Sequence, residues 1–152
     1  MQKSIKGLAL FVAIVLGVGF AIGFVNPPGR WYAALAKPWF NPPSWVFAPT
    51  WSIIYGLVAI AGWRTWKFGS DQIATALWAT QIALNFLWSP IFFTAHRPDI
   101  ALAVILILLA LIVGFIIKQW SRDMASALLF LPYAFWVGFA SILNLEIIRL
   151  NW

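Results

Sequence analysis

The chain has 152 residues, of which 63% are hydrophobic and 9% charged, with a mean hydropathy of +0.90. Soluble domains carry roughly 45–50% apolar and 25% charged residues, so a soluble globule is excluded and lipid is the solvent for most of this surface. With no Cys, one His and four carboxylates, disulfide frameworks, thiol chemistry and Cys-ligated metal centres are excluded, and little is left for an acid/base pair. The net charge of +6 comes from ten Lys and Arg scattered in ones and twos, which reads as membrane-flank charge and not as the basic stripe of a nucleic-acid partner. The unusual excess is aromatic, at 18% with 11 Trp.

Five long windows lack Asp, Glu, Lys and Arg: Gly7–Gly29, Pro38–Trp63, Gln72–His96, Ile100–Ile117 and Met124–Leu145. A helix rises ~1.5 Å per residue and the hydrocarbon core is ~30 Å thick, so each window holds one crossing. The period-two alternation of a membrane barrel is absent. The fold predicted is an all-α integral membrane protein, a five-transmembrane-helix bundle forming one domain over residues 1–152.

The first predicted helix is Ser4–Val25. Lys3 and Lys6 before an apolar run resemble a signal peptide, but the run is too long and no small-x-small cleavage site follows, so a retained helix is expected. Its small residues include Gly19-x-x-x-Gly23, which allows close backbone approach, either between subunits or within one. The loop Asn26–Pro43 follows, with two Pro-Pro pairs and Trp31, Tyr32 and Trp39. Proline fixes φ and removes donors, so the stretch is expected to be stiff and non-helical. Its aromatics suit either an interfacial belt or a lid over the bundle mouth.

The remaining helices are predicted at Ser44–Phe68, Asp71–Ala95, Pro98–Gln119 and Arg122–Arg149. Gly69-Ser70-Asp71, Arg97-Pro98-Asp99 and Ser121-Arg122-Asp123 supply their start signals. Pro90 and Pro132 each remove a helix hydrogen bond and are expected to kink their helices. Glu146 and Arg149, at i,i+3, read as an interfacial ion pair, and His96 as a membrane-flank residue. Six basic residues on the N-terminal side (Lys3, Lys6, Arg64, Lys67, Lys118, Arg122) against four on the other (Arg30, Lys37, Arg97, Arg149) favour a cytoplasmic N-terminus in a bacterial cell membrane.

Three helices present aromatic and polar residues at helical spacing: Trp51 and Tyr55, with Ser52 beside them, on the second; Gln81, Asn85, Trp88 and Phe92 on the third; Tyr133, Trp136, Ala140 and Asn144 on the fifth. Amides in lipid need partners, so these faces should converge. Gln81 and Asn144 read as interhelical glue. Asn85 with Trp88 and Trp136 reads as a pocket, because ring faces beside a few polar groups suit a planar hydrophobic ligand. Ala140 would leave room for it.

The motif Lys37-Pro38-Trp39-Phe40-Asn41-Pro42-Pro43, with Trp51-x-x-x-Tyr55, Asn85-x-x-Trp88-Ser89-Pro90-x-Phe92-Phe93 and Pro132-Tyr133-x-x-Trp136-x-x-x-Ala140-x-x-x-Asn144, resembles the tryptophan-rich sensory protein family, bacterial relatives of the translocator protein or peripheral benzodiazepine receptor. The match runs from the first loop to the C-terminus. The resemblance implies a five-helix bundle, often dimeric, binding porphyrins, sterols and benzodiazepine-site compounds, with porphyrin as ligand and no cofactor. Under it, the ligand residues are Trp39, Phe47, Trp51, Tyr55, Asn85, Trp88, Phe92, Tyr133, Trp136, Ala140 and Asn144, and the small residues Ala76, Ala79 and Ala83 are the dimer stripe. Two positions depart: Phe40 stands where many members carry Trp, and Leu143–Arg149 lacks the Tyr of the sterol motif found in animal members. A weak inverted sterol pattern, Arg30-x-Tyr32-x-x-Leu35, lies in the first loop. Three functions follow in order: sensing or translocation of tetrapyrroles, light-dependent porphyrin degradation, and a small transporter subunit. No nucleophile–base pair or metal site supports ordinary enzymatic catalysis, and no inverted repeat supports the transporter.

Overall fold

A computed structural model describes residues 2–68 and 71–152. Five long helices, α1 (Gln2–Val25), α3 (Phe47–Lys67), α4 (Gln72–Ser89), α5 (Pro98–Trp120) and α6 (Met124–Asn151), are joined by short links and one longer loop, which carries the short helix α2 (Arg30–Ala34). All five long helices, α3 counted with the 3-10 turn before it and α4 with the turn beyond it, are long and apolar enough to cross a membrane. The expected five-crossing architecture is therefore the observed one. Of the start signal Gly69-Ser70-Asp71, the first two residues lie outside the described residues; the Asp71 carboxylate accepts the Ile73 N–H at 2.6 Å and caps α4.

Around the bundle the order is α1, α3, α6, α5, α4, closing with α4 against α1. The core between α3, α5 and α6 is apolar and tight: Val58, Ala59, Leu108, Ile112, Phe115, Phe130 and Val137 are all buried, with the Phe115 and Phe130 rings 4.1 Å apart. Close approach is bought at two glycines. A Cβ on Gly62 would collide with the Trp78 ring, and one on Gly19 with the Tyr55 ring. The Trp78 ring, laid over Gly62, donates from Nε1 to the Val58 carbonyl at 2.9 Å, which satisfies its one polar atom inside the bundle.

Two expectations about the chain path change. The loop Asn26–Pro43 is not wholly non-helical: between its Pro-Pro pairs, residues 30–34 form a turn of helix, because no proline interrupts them and alanine favours helix. Pro90 does not simply kink α4. Its missing N–H lets the ladder widen into a π-helical turn over Pro90–Thr94, with Ala95 N–H donating to the Pro90 carbonyl at 2.9 Å. α6 runs on through Pro132.

At the N-terminal end of the bundle, Asp123 stands at the N-cap position of α6 but spends its carboxylate elsewhere. It accepts from Arg64 of α3 at 2.7 and 3.0 Å and from the Ser126 hydroxyl. The Arg64 hydrogen bond holds the Asp123 carboxyl below its ordinary range. Asp71 is held low mainly by Lys118, with Arg122 beside it. These pairs tie α3, α4, α5 and α6 together at that end, while the opposite end is left to the aromatic loop. The expected Glu146–Arg149 pair forms at 2.8 Å.

Candidate functional site

The aromatic faces meet at the end of the bundle where α1 and α4 finish and α3 begins. There they bound a cavity of roughly 860 Å³, walled by α1 (Gly19, Gly23), α3 (Phe47, Trp51, Tyr55) and α4 (Asn85, Trp88), and covered by the loop through Tyr32, Lys37 and Asn41. A much smaller space of roughly 40 Å³ adjoins it, sharing Tyr32, Phe47, Trp51, Trp88 and Phe93 and adding Phe92, Trp136, Ala140 and Asn144. The larger volume lies within the roughly 300–1,000 Å³ of ligand pockets.

The rings are fixed by packing. Trp51 and Tyr55, one turn apart on α3, lie 5.3 Å apart between centroids, and Trp51 stands edge-on to Trp136 of α6 at 6.5 Å. Phe47 meets Trp136 at 5.8 Å, and Trp88 stacks on Phe92 at 4.9 Å. Trp88 is also pinned by its Nε1, which donates to Asn144 Oδ1 at 3.2 Å; Asn144 in turn donates from Nδ2 to the Pro98 carbonyl. Asn144 thus links α4, α5 and α6 as glue and also lines the smaller space. The polar end of the cavity is a line of four side chains. Tyr55 donates to Asn85 Oδ1 at 3.0 Å, Asn85 Nδ2 donates to the Tyr133 hydroxyl at 2.8 Å, and Tyr133 donates to Gln81 Oε1 at 2.8 Å.

The loop is tied down on several sides. Ala36 gives its N–H to Asn151 Oδ1 at 2.9 Å and its carbonyl accepts from Asn151 Nδ2 at 3.0 Å, so the last turn of α6 holds the loop backbone as a partner strand would. The Lys37 ammonium donates to the Tyr32, Leu35 and Ala33 carbonyls at 2.8, 3.0 and 3.3 Å and lies 4.6 Å above the Tyr32 ring. It closes the C-terminus of α2 and is the one charged side chain among the described residues lining the cavity. Burial pushes the Tyr32 phenol above its ordinary range, keeping it a neutral hydroxyl. His96, in the left-handed region at φ 54°, lays its ring on Trp31 at 4.3 Å, and Thr94 donates to Asn26, so the π-helical turn is tied to the loop as well.

Of the sequence-proposed residues, Phe47, Trp51, Tyr55, Asn85 and Trp88 line the large cavity, and Phe92, Trp136, Ala140 and Asn144 the small one. Tyr133 lines neither. It is fully buried behind Asn85, and its contribution passes through that amide. Trp39 is not brought to the cavity: it is 95% exposed, with its ring edge-on to Phe40 at 5.6 Å. Flanked by proline on the turn 38–41, it points outward, where the interfacial-belt reading of Trp applies. Sequence reasoning missed the α1 wall and Asn151. Gly19 and Gly23 were legible as small residues, but their spacing alone does not separate a packing seam from a cavity wall.

The fold and cavity define a multi-pass integral membrane protein that encloses a loop-covered, aromatic, ligand-sized chamber within a five-helix bundle. Its sequence matches the TspO/MBR family over residues 11–150, and the chain belongs to that family. It is 36% identical to the tryptophan-rich sensory protein of Cereibacter sphaeroides, covering 95% of this chain and 92% of that one. It is 38% identical to the tryptophan-rich protein TspO of Archaeoglobus fulgidus (97% and 99% covered) and 31% identical to the human translocator protein (97% and 90% covered). Membership supports a membrane sensing or translocator role.

Proposed function

We propose that the cavity binds a porphyrin or a related planar tetrapyrrole, and that the protein senses or translocates that ligand. One observation carries the reading: a cavity of ligand size with ring walls on two sides, Trp51 and Tyr55 on α3 and Trp88 on α4, with polar groups at its inner end (Asn85) and in its loop cover (Lys37, Asn41). Flat π-systems gain by stacking on such walls, and the few polar groups fix orientation. Sterols and benzodiazepine-site compounds, also flat and apolar, compete for the same space. Trp51 and Trp136, 6.5 Å apart, favour a second reading in which a light-excited porphyrin draws one electron from an indole, leaving a porphyrin radical anion and an indole radical cation, and dissolved dioxygen as the terminal oxidant then opens the macrocycle. Titrating purified protein with protoporphyrin in the dark, then illuminating, separates the two. Saturable tryptophan quenching with an intact porphyrin spectrum supports binding; protein-dependent loss of that spectrum supports degradation; absence of saturable quenching refutes both.

With the N-terminus cytoplasmic in a bacterial-type membrane, as the charge bias favours, the loop and cavity mouth face away from the cytoplasm. Ala76, Ala79 and Ala83 are exposed along α4, and their small side chains suit a homodimer seam in lipid.

A further inference from the structure

We propose that Gln81 and Tyr133 form, with Asn85 and Tyr55, a reversible hydrogen-bond chain that lets the cavity offer its ligand either an acceptor or a donor. The proposal rests on the cavity being the ligand site, and Gln81 and Tyr133 act in it as positioning residues, through Asn85 and Tyr55.

In the structure every donor of the chain points away from the cavity, from Tyr55 to Asn85 to Tyr133 to Gln81. Tyr55, which lines the cavity, has its proton committed inward, so its hydroxyl can only accept from a ligand. At the far end Gln81 is fully buried, and its Nε2 has no hydrogen-bond partner among the described residues. An unpaired buried amide N–H is costly and uncommon, more so than an unpaired carbonyl oxygen.

Turning the Gln81 amide over places Nε2 where Oε1 stands. Gln81 then donates to Tyr133, the Tyr133 proton turns to Asn85, the Asn85 amide turns over, and its Nδ2 donates to Tyr55. All three links survive with reversed direction, and no ring moves. The orphan at the buried end becomes a carbonyl oxygen, and the Tyr55 proton is delivered to the cavity. The two directions differ only in amide and hydroxyl orientation, so a ligand that favours one end selects the direction of the whole line. A planar ligand with a ring N–H takes the direction seen here; one with a carbonyl oxygen takes the reverse.

Gln81→Met keeps the volume and removes both polar atoms, which leaves Asn85 as the acceptor for the Tyr133 proton and locks the reversed direction. Two tricyclic probes of equal shape read this out: carbazole, an N–H donor, and fluorenone, a carbonyl acceptor. Relative to the unmutated protein, Gln81→Met should bind fluorenone roughly three- to tenfold more tightly and carbazole weaker by a similar factor, the weight of one hydrogen bond. The Asn85 side-chain N–H protons lie against Tyr133 in the direction seen here and against Tyr55 in the reverse, so nuclear Overhauser contacts from the Asn85 amide report the direction of the line. In ligand-free Gln81→Met these contacts should pass from the Tyr133 ring to the Tyr55 ring. If the variant does not fold, carbazole bound to the unmutated protein should leave them on Tyr133 and fluorenone should move them to Tyr55. Contacts that stay on Tyr133 in Gln81→Met, or that are the same with the two probes, overturn the chain. Failure of both probes to bind saturably refutes the cavity reading instead, and the ligand-free contacts still decide the chain.

Discussion

Replacing Asn151 with alanine should free the loop from the bundle. Asn151 makes two hydrogen bonds to Ala36 across 115 residues of chain, at 2.9 and 3.0 Å, and anchors itself by a third to the Ile147 carbonyl. Alanine cannot replace the two loop bonds, and the freed Ala36 groups, being exposed, turn to water. At about 0.5–1 kcal/mol each in such a setting, the loss is about 1–2 kcal/mol of local closing free energy, or roughly a five- to thirtyfold rise in the open population. Hydrogen exchange reads this directly: the Ala33 and Leu35 amides, bonded to Gly29 and Tyr32 carbonyls within the loop, should exchange faster by that factor, while amides in the core of α5 keep their rates. Porphyrin dissociation should accelerate in step, because a covered ligand leaves through the opened state. Unchanged loop exchange in Asn151→Ala would show that Asn151 is no clasp. Faster exchange with an unaltered off-rate would show that the loop is no cover.

Other substitutions test the walls and the scaffold. Trp51→Phe, Asn85→Ala and Trp136→Ala should each weaken protoporphyrin binding several-fold in a titration while circular dichroism stays helical; Asn85→Ala should also lower the melting temperature, because it cuts the line between Tyr55 and Tyr133. Ala140→Leu puts three more carbons into a space of roughly 40 Å³; overpacking of this kind costs about 1–3 kcal/mol, so thermal stability and porphyrin affinity should fall together, and an unchanged melting curve would contradict the tight packing. Gly62→Ala meets the Trp78 ring and should destabilise the α3–α4 contact, seen as altered indole fluorescence with a lowered melting temperature. Asp123 and Asp71 have folded pKa values below their unfolded ones, so their stabilisation is complete above the unfolded value near ~3.9 and is lost as pH falls through the depressed folded values; a melting-temperature profile should drop in that acid window, and less steeply in Asp123→Asn.

The five crossings were legible because charges, caps and prolines punctuate the sequence where the chain leaves lipid. The convergence of Trp51, Tyr55, Asn85 and Trp88 followed from helical spacing plus the cost of an amide facing lipid. Trp39 was not legible in the same way, since a tryptophan beside prolines fits an interface belt and a ligand wall equally, and only the turn at 38–41 decides its direction. The small helix at 30–34 was hidden by the prolines on either side of it. The Asn151 clasp depends on the ring order of the helices, which places the last turn of α6 beside the loop, and no local pattern encodes that contact. The π-helical turn was half visible: Pro90 announced a broken hydrogen bond, but not that the ladder widens, with Thr94 and His96 meeting Asn26 and Trp31 of the loop.

The central claim is that ligand sits inside the bundle, between α3 and α4 beneath the loop. A lipid-facing groove of roughly 410 Å³ between α3 and α6, lined by Ile53, Pro132, Phe135 and Phe139 among others, offers an apolar alternative on the outside of Trp136. Determining the structure of the protein saturated with protoporphyrin in the dark separates the two. The macrocycle should lie against Trp51, Tyr55 and Trp88, with an edge at Asn85 and Tyr32 above it; a macrocycle seated in the outer groove, with the inner cavity holding only water or lipid, would contradict the account.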